Sequence, residues 1–183
     1  MVIRFLKNNA YIFITIALII GIRLFLVTPV VVAGPSMMPT LNDQDKIVVN
    51  KLTPKVFGYD RFDVIVFQQD EASHYVKRII GLPGDTVVYK NDVLYINGTE
   101  VDEPFLEEIR SSVKFGKLTG DFNFQELYQM DVIPEGKFFV LGDNRLNSSD
   151  SREPNYIGLV DIEEITGRAN FIMYPMDHAK WIK

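Results

Sequence analysis

The stretch 75-YVKRIIGLPGD-85 decides the fold. Tyr75 to Ile80 is rich in Val, Ile and Tyr and ends against Gly81, Pro83 and Gly84, the pattern of a strand running into a turn. By alternation Tyr75, Lys77 and Ile79 share one face of that strand, and Val76 and Arg78 the other. The glycines lack the Walker spacing and its Lys-Ser/Thr, so the turn is no phosphate cradle. The same texture recurs in 46-KIVVN-50, 62-FDVIVF-67, 86-TVVYK-90, 93-VLYIN-97, 137-KFFVLG-142 and 169-ANFIMY-174. Asn91-Asp92 and Asn97-Gly98 are hairpin turn signals, the second the stronger, leading back to 99-TEV-101. Residues 105–135 are more polar and read as a variable insertion, and 161-DIEEI-165 as a helical turn. The fold predicted is mainly β, an antiparallel sheet domain over 30–183.

Upstream the texture changes. Arg4 and Lys7 precede thirteen uncharged residues, 10-AYIFITIALIIGI-22, and Arg23 is followed by the apolar 24-LFLVTPVVVA-33. As a helix, Ala10 to Ala33 would measure about 36 Å, against the roughly 20 residues a bilayer core requires. Arg23 falls near the far interface, where it can snorkel. The reading is one N-terminal transmembrane helix over 10–29, ended by Pro29, after a cytoplasmic tail over 1–9. A cleavable signal peptide shares the basic flank and short apolar core. It would turn polar after Arg23, whereas this chain turns apolar again. Either way the bulk of the chain lies outside the cytoplasm.

Composition removes several classes. The 183 residues are 47% hydrophobic and 23% charged, with net charge −5, which argues against a nucleic-acid binder. There is no cysteine and there are only two histidines, His74 and His178. A thiol nucleophile and a Cys-type zinc site are excluded, and a His-based triad has little to draw on. Asp143 and Asp150 lack further ligands at metal spacing.

The chemistry therefore falls to serine and lysine. Ser36 sits in 34-GPSMMPTL-41 without a G-x-S-x-G frame. Lys77 lies within a strand. It is either an ordinary surface lysine or one buried beside Ser36. A lysine in water titrates near 10.4, so leaving it neutral at pH 7 costs about 4.6 kcal/mol, and burial shifts a lysine by up to about 3–5 units. An apolar pocket would make Lys77 a base for a serine nucleophile. A third patch, 142-GDNRLNSSDSR-152, is dense in short polar side chains and arginine, either a polar loop or a self-satisfied hydrogen-bond network able to hold a buried lysine.

In chain order, an apolar leader, 36-SMMPTL-41, 61-RFDVIVF-67, 75-YVKRIIGLPGD-85, 142-GDNRLNSSDSR-152 and 167-GRANFIMYP-175 resemble the bacterial type I signal peptidases, leader peptidases that cut preproteins at the membrane, in their shorter Gram-positive form. The resemblance implies a membrane-anchored Ser-Lys endopeptidase with Ser36 as nucleophile and Lys77 as general base. Ser148 matches the serine that hydrogen-bonds the lysine, Asp150 and Arg152 its supporting ion pair, and Asp143 and Arg145 structural members of the same segment. It implies a shallow cleft that takes an extended substrate and selects small residues, typically Ala, at the first and third positions before the cut. Val32, Gly34, Met37, Leu41, Tyr75 and Val76 match substrate-binding positions. The implied partners are signal-peptide-bearing preproteins and the lipid bilayer, with no cofactor, metal or nucleic acid.

An oxyanion hole requires two donors. The Ser36 N–H supplies one. Gram-negative relatives offer a serine hydroxyl at the place of Gly34, so the second is expected from the Gly34 N–H or a water. Two rival readings remain: a pseudopeptidase that binds preproteins without cutting, and a self-cleaving repressor-type protease, which lacks the membrane segment and the GDNR box.

Overall fold

The computed structural model describes residues 9–25, 27–69, 74–112 and 116–182. It opens with helix α1 (Ala10–Phe25), whose sequence AYIFITIALIIGIRLF carries exposed Tyr11, Ile14 and Leu18. Sixteen residues span about 24 Å, less than the roughly 30 Å of a hydrocarbon core. Among the described residues no helix is long and apolar enough to cross a membrane. The helix expected over 10–29 is therefore shorter than that. Strand β1 (Val27–Val31) begins two residues after it, and Pro29 lies inside the strand. The physical reason is local. Val27, Thr28, Val30 and Val31 are β-branched, and Pro29 biases Thr28 towards extended backbone. β1 is also an edge strand, where a missing N–H is tolerated. Residues 1–8, most of the tail expected over 1–9, lie outside the described residues.

Strands β2 (Lys46–Asn50), β3 (Val64–Gln68) and β4 (His74–Gly81) follow, with the single-turn helix α2 (Thr53–Phe57) between the first two. Strands β5 (Val87–Lys90), β6 (Val93–Ile96) and β7 (Thr99–Val101) form a meander. Asn91, Asp92, Asn97 and Gly98 take the positive φ that its two tight turns require. Residues 105–135 supply helix α3 (Glu107–Ser112), strand β8 (Phe122–Asn123), which pairs with β5, and helix α4 (Phe124–Tyr128). The chain closes with β9 (Lys137–Leu141), β10 (Val160–Asp161), β11 (Ile165–Tyr174) and β12 (Lys180–Trp181). The helical turn expected at 161–165 is a 3-10 turn over Ile162–Glu164, closed by a capping box between Asp161 and Glu164.

Every pairing among the described residues is antiparallel. The large sheet has the order β1-β2-β11-β3-β4-β9-β10, with β12 added to β11, and the small one β7-β6-β5-β8. The large sheet is covered on both faces, which explains its near-continuous apolar strands. Along β3, Val64 and Val66 join the cluster of Val32, Met37, Leu41, Ile47 and Val76. Ile65 and Phe67 join Ile79, Val140 and Ile157 on the other face. Ile80, Tyr89, Phe124 and Phe139 fill a third cluster, shared by the two sheets. The Gly81–Asp85 segment is the turn it was expected to be. The Asp85 carboxylate accepts from the Leu82 N–H at 2.7 Å and pairs with Arg61 at 2.9 Å.

Gly167 marks a close backbone approach between two strands. A Cβ there would overlap the Asn50 carbonyl oxygen and approach Val49 Cγ1 at 3.0 Å. That carbonyl belongs to β2 and cannot retreat without parting β2 from β11. Gly167→Ala is expected to destabilise the domain by about 1–3 kcal/mol, seen as a lowered midpoint in urea unfolding. An unchanged midpoint would mean that the sheet yields there.

Candidate active site

Three stretches converge on one cleft of about 360 Å³, lined by residues 31–37 on one side and 74–77 on the other, with Ser149 and Tyr156 completing it. β9 pairs with β4 only from Arg78 to Gly81, so the cleft runs beside the part of β4 that β9 does not reach. Ser36 and Lys77 both line it. Lys77 is 2% exposed, so it is no surface lysine. Burial lowers its pKa from 10.5 to about 8, against the opposing pull of the Asp150 carboxylate, while Arg152 reinforces the lowering.

The nucleophile turn is held from several sides. The Asn144 N–H donates to the Ser36 carbonyl at 3.0 Å, and Asn144 Nδ2 donates to the Pro35 carbonyl at 3.1 Å. The Thr40 hydroxyl donates to Asp143 at 2.5 Å. Gly142 lies between the Ser36 carbonyl and the Ser148 side chain. A Cβ on it would come within 2.5 Å of the first and 2.6 Å of Ser148 Cβ, so the loop reaches the turn only because this residue has no side chain.

Arg78, next to Lys77, donates through Nε and Nη2 to the two Asp143 oxygens at 2.9 and 2.7 Å, with both side chains fully buried. Its Nη1 donates to the Phe62 carbonyl at 2.8 Å, and its guanidinium lies 3.9 Å over the Phe105 ring. Arg152 clasps Asp150 through Nε and Nη2, each at 2.8 Å, and reaches the Arg145 and Ser148 carbonyls. The Gly142 N–H donates to the same Asp150 carboxylate at 3.1 Å. Segment 142–152 is thus a hydrogen-bonded network rather than a loose polar loop.

That network continues into the small sheet. Arg145 donates to the Gly142 carbonyl at 3.1 Å, to the Tyr89 hydroxyl at 3.1 Å and to Glu103 at 2.5 Å. The Tyr89 hydroxyl donates to the other Glu103 oxygen. Burial, the largest single influence, would lower the Arg145 pKa, but Glu103, Tyr89 and Asp143 together outweigh it and the net shift is upward.

The remaining expected residues fall as follows. Val32, Met37 and Val76 are buried and line the cleft, and Gly34 and Tyr75 line it as well. Leu41 is fully buried in the cluster with Val32, Met37 and Val76 and is not a lining residue. The Ser148 hydroxyl donates at 3.5 Å to the Ser149 carbonyl rather than to Lys77, and it is Ser149 that lines the cleft. The Gly34 N–H, one of the two expected sources of a second oxyanion donor, donates to Asp43 Oδ1 at 2.7 Å. Asn144, Glu103, Asp43 and Tyr156 escaped the sequence reading. Only Asn144 carried a signal, as the unassigned member of the GDNR box.

Glu103 and Arg145 form an ion pair with neither side chain exposed. Glu103→Gln leaves the guanidinium buried without its counter-charge. A loss of about 3–5 kcal/mol in urea unfolding is expected, and a loss below about 1 kcal/mol would mean that the guanidinium finds compensation elsewhere.

Comparison with known proteins agrees with this geometry. The family model described as signal peptidase, peptidase S26, matches residues 3–174. The signal peptidase I of Bacillus caldolyticus is 45% identical over 89% of this chain and 88% of its own. Signal peptidase IB of Staphylococcus aureus is 42% identical over 86% and 83%. A crystal structure of a signal peptidase I from Enterococcus faecalis, 42% identical, superposes with a TM-score of 0.55, covering 60% of this chain and 95% of that one. Matched over most of its length both as a family and to individual relatives, the chain belongs to the signal peptidase family, peptidase S26, and is a serine endopeptidase.

Proposed function

We propose that the chain removes signal peptides from secreted preproteins at the membrane surface, cutting after Ala-x-Ala-like sequences, with Ser36 as nucleophile and Lys77 as general base. The observation that carries this reading is a buried lysine, its pKa lowered to about 8, in the same cleft as a serine. The substrate lies extended between residues 31–37 and 74–77. Ser36 Oγ attacks the scissile carbonyl while neutral Lys77 takes the hydroxyl proton. Lys77 then gives that proton to the leaving amine as the carbon–nitrogen bond breaks. A water, losing a proton to Lys77, adds to the ester. As the carbon–oxygen bond breaks, the proton returns to Ser36 Oγ, and the acid product leaves.

The Ser36 N–H faces the developing oxyanion. With the Gly34 N–H engaged by Asp43, the second donor is a water. Val32, Met37 and Val76 form a closely packed apolar floor that admits small side chains, and Leu41 beneath them fixes its depth. Asp150 and Arg152 hold the loop that faces Lys77, in which the Ser148 side chain packs against Gly142. The apolar segment that precedes β1, of which α1 is the helical part, anchors the chain as a single pass with the N-terminus cytoplasmic. Because β1 begins at Val27, the catalytic domain on the outer side starts directly at the bilayer surface.

The direct test is cleavage of an Ala-x-Ala preprotein in detergent by wild type and Ser36→Ala. Cutting after the last Ala by wild type alone is the expected outcome. Binding without cutting by both would bring forward the non-catalytic preprotein-binding reading.

The pH profile tests Lys77. The base is the neutral amine, and the ammonium form accumulates as pH falls through about 8. The expected kcat/KM is level above that pH and drops about tenfold per unit below it. A flat profile between pH 6 and 9 would remove Lys77 from the role of base.

A further inference from the structure

We infer that His178 is a positioning residue for one wall of the cleft, acting through Asp45 and the turn that holds Val32 and Gly34; this rests on the peptidase reading above. The wall is the segment 31–34, which lines the cleft ahead of Ser36. A turn at 42–45 holds it. The Val32 N–H donates to the Asp45 carbonyl at 2.8 Å, and the Gln44 N–H donates to the Val32 carbonyl at 2.9 Å. The Gly34 N–H donates to Asp43 Oδ1 at 2.7 Å. Both main-chain groups of Val32 therefore face the turn. By strand alternation those of Val31 and Ala33, which also line the cleft, face the opposite edge, where an extended substrate adds. The register of that edge is set by the turn behind it.

The turn needs support of its own. The bond that closes it, from the Asp45 N–H to the Asn42 carbonyl, is 3.2 Å long. Gln44 stands at φ 68°, the left-handed backbone that a side chain resists. The Asp45 carboxylate, buried at the end of the turn, secures it. Its Oδ2 accepts from the Asn42 N–H at 2.8 Å and from His178 Nδ1 at 2.9 Å. Among the described residues His178 is the one side chain that donates to this carboxylate. An ionised carboxylate only accepts, so Nδ1 carries a hydrogen whether the ring is neutral or charged. His178 ends the 3-10 turn Met176–His178 between β11 and β12, so the clamp comes from the far end of the chain. Ser36 and Lys77 are held separately, by Asn144, Thr40 and the pair of Arg78 and Asp143. Loss of the Nδ1 donor therefore loosens the wall that binds substrate and leaves the reacting pair in place.

The test is kcat and KM, read separately, for an Ala-x-Ala preprotein in detergent with wild type, His178→Ala and His178→Asn, whose amide nitrogen takes the place of Nδ1. His178→Ala is expected to raise KM about tenfold or more, the loss of one hydrogen bond to a charged group, with kcat within about threefold of wild type. His178→Asn is expected to keep both within about threefold. Urea unfolding midpoints are taken alongside. If His178→Ala is unfolded under the assay conditions, His178→Gln, which fills the space but sets its donor at the Nε2 place, stands in for it with the same expected rise in KM. An unchanged KM, a fall in kcat at constant KM, or a His178→Asn as impaired as His178→Ala would overturn the assignment while leaving the peptidase intact. Failure of wild type to cut the preprotein would instead remove the peptidase reading, and this assignment with it.

Discussion

The buried pair of Arg78 and Asp143 is the constraint on which the site depends. Arg78 is the strand neighbour of Lys77, and Asp143 opens the 142–152 segment and accepts from Thr40 of the nucleophile turn. One ion pair thus fixes the strand of the base, the loop that faces it and the turn of the nucleophile. Two fully desolvated charges persist only when their hydrogen bonds are nearly all made. Both Asp143 oxygens are engaged, and the guanidinium also reaches the Phe62 carbonyl. The geometry of the cleft is therefore as stiff as this pair.

A second buried pair extends the same logic outward. Arg145 links the Gly142 carbonyl to Glu103 and Tyr89, so the small sheet is a support for the active-site loop rather than an appendage. Residues 105–135, which look expendable as sequence, supply β8 to that sheet and Phe124 to the core shared by the two sheets.

Much of this was legible in the residues. The alternation in β3 and β4, the Asn91-Asp92 and Asn97-Gly98 turns and the antiparallel class follow from local chemistry, and the structure has them. Ser36, Lys77 and the 142–152 segment were legible as candidates, and they meet in one place. The end of α1 was misjudged, because Pro29 looks like a helix stop and is equally at home in an edge strand. Partners far apart in sequence were beyond reach. Nothing in Glu103 reveals that it will face Arg145, and nothing in Asp43 that it will take the Gly34 N–H. Tyr156 looks like any loop aromatic until the fold brings it to Tyr75.

The depressed pKa of Lys77 has a consequence for the whole molecule. In the unfolded chain this lysine titrates near 10.5, and in the folded one near 8. Below pH 8 the folded state bears the full cost of a charged, buried amine, about 3 kcal/mol. As pH rises from about 8 to 10.5 that cost is relieved, and unfolding there takes up a proton from solvent. The domain thus folds at neutral pH against a charge it would be more stable without.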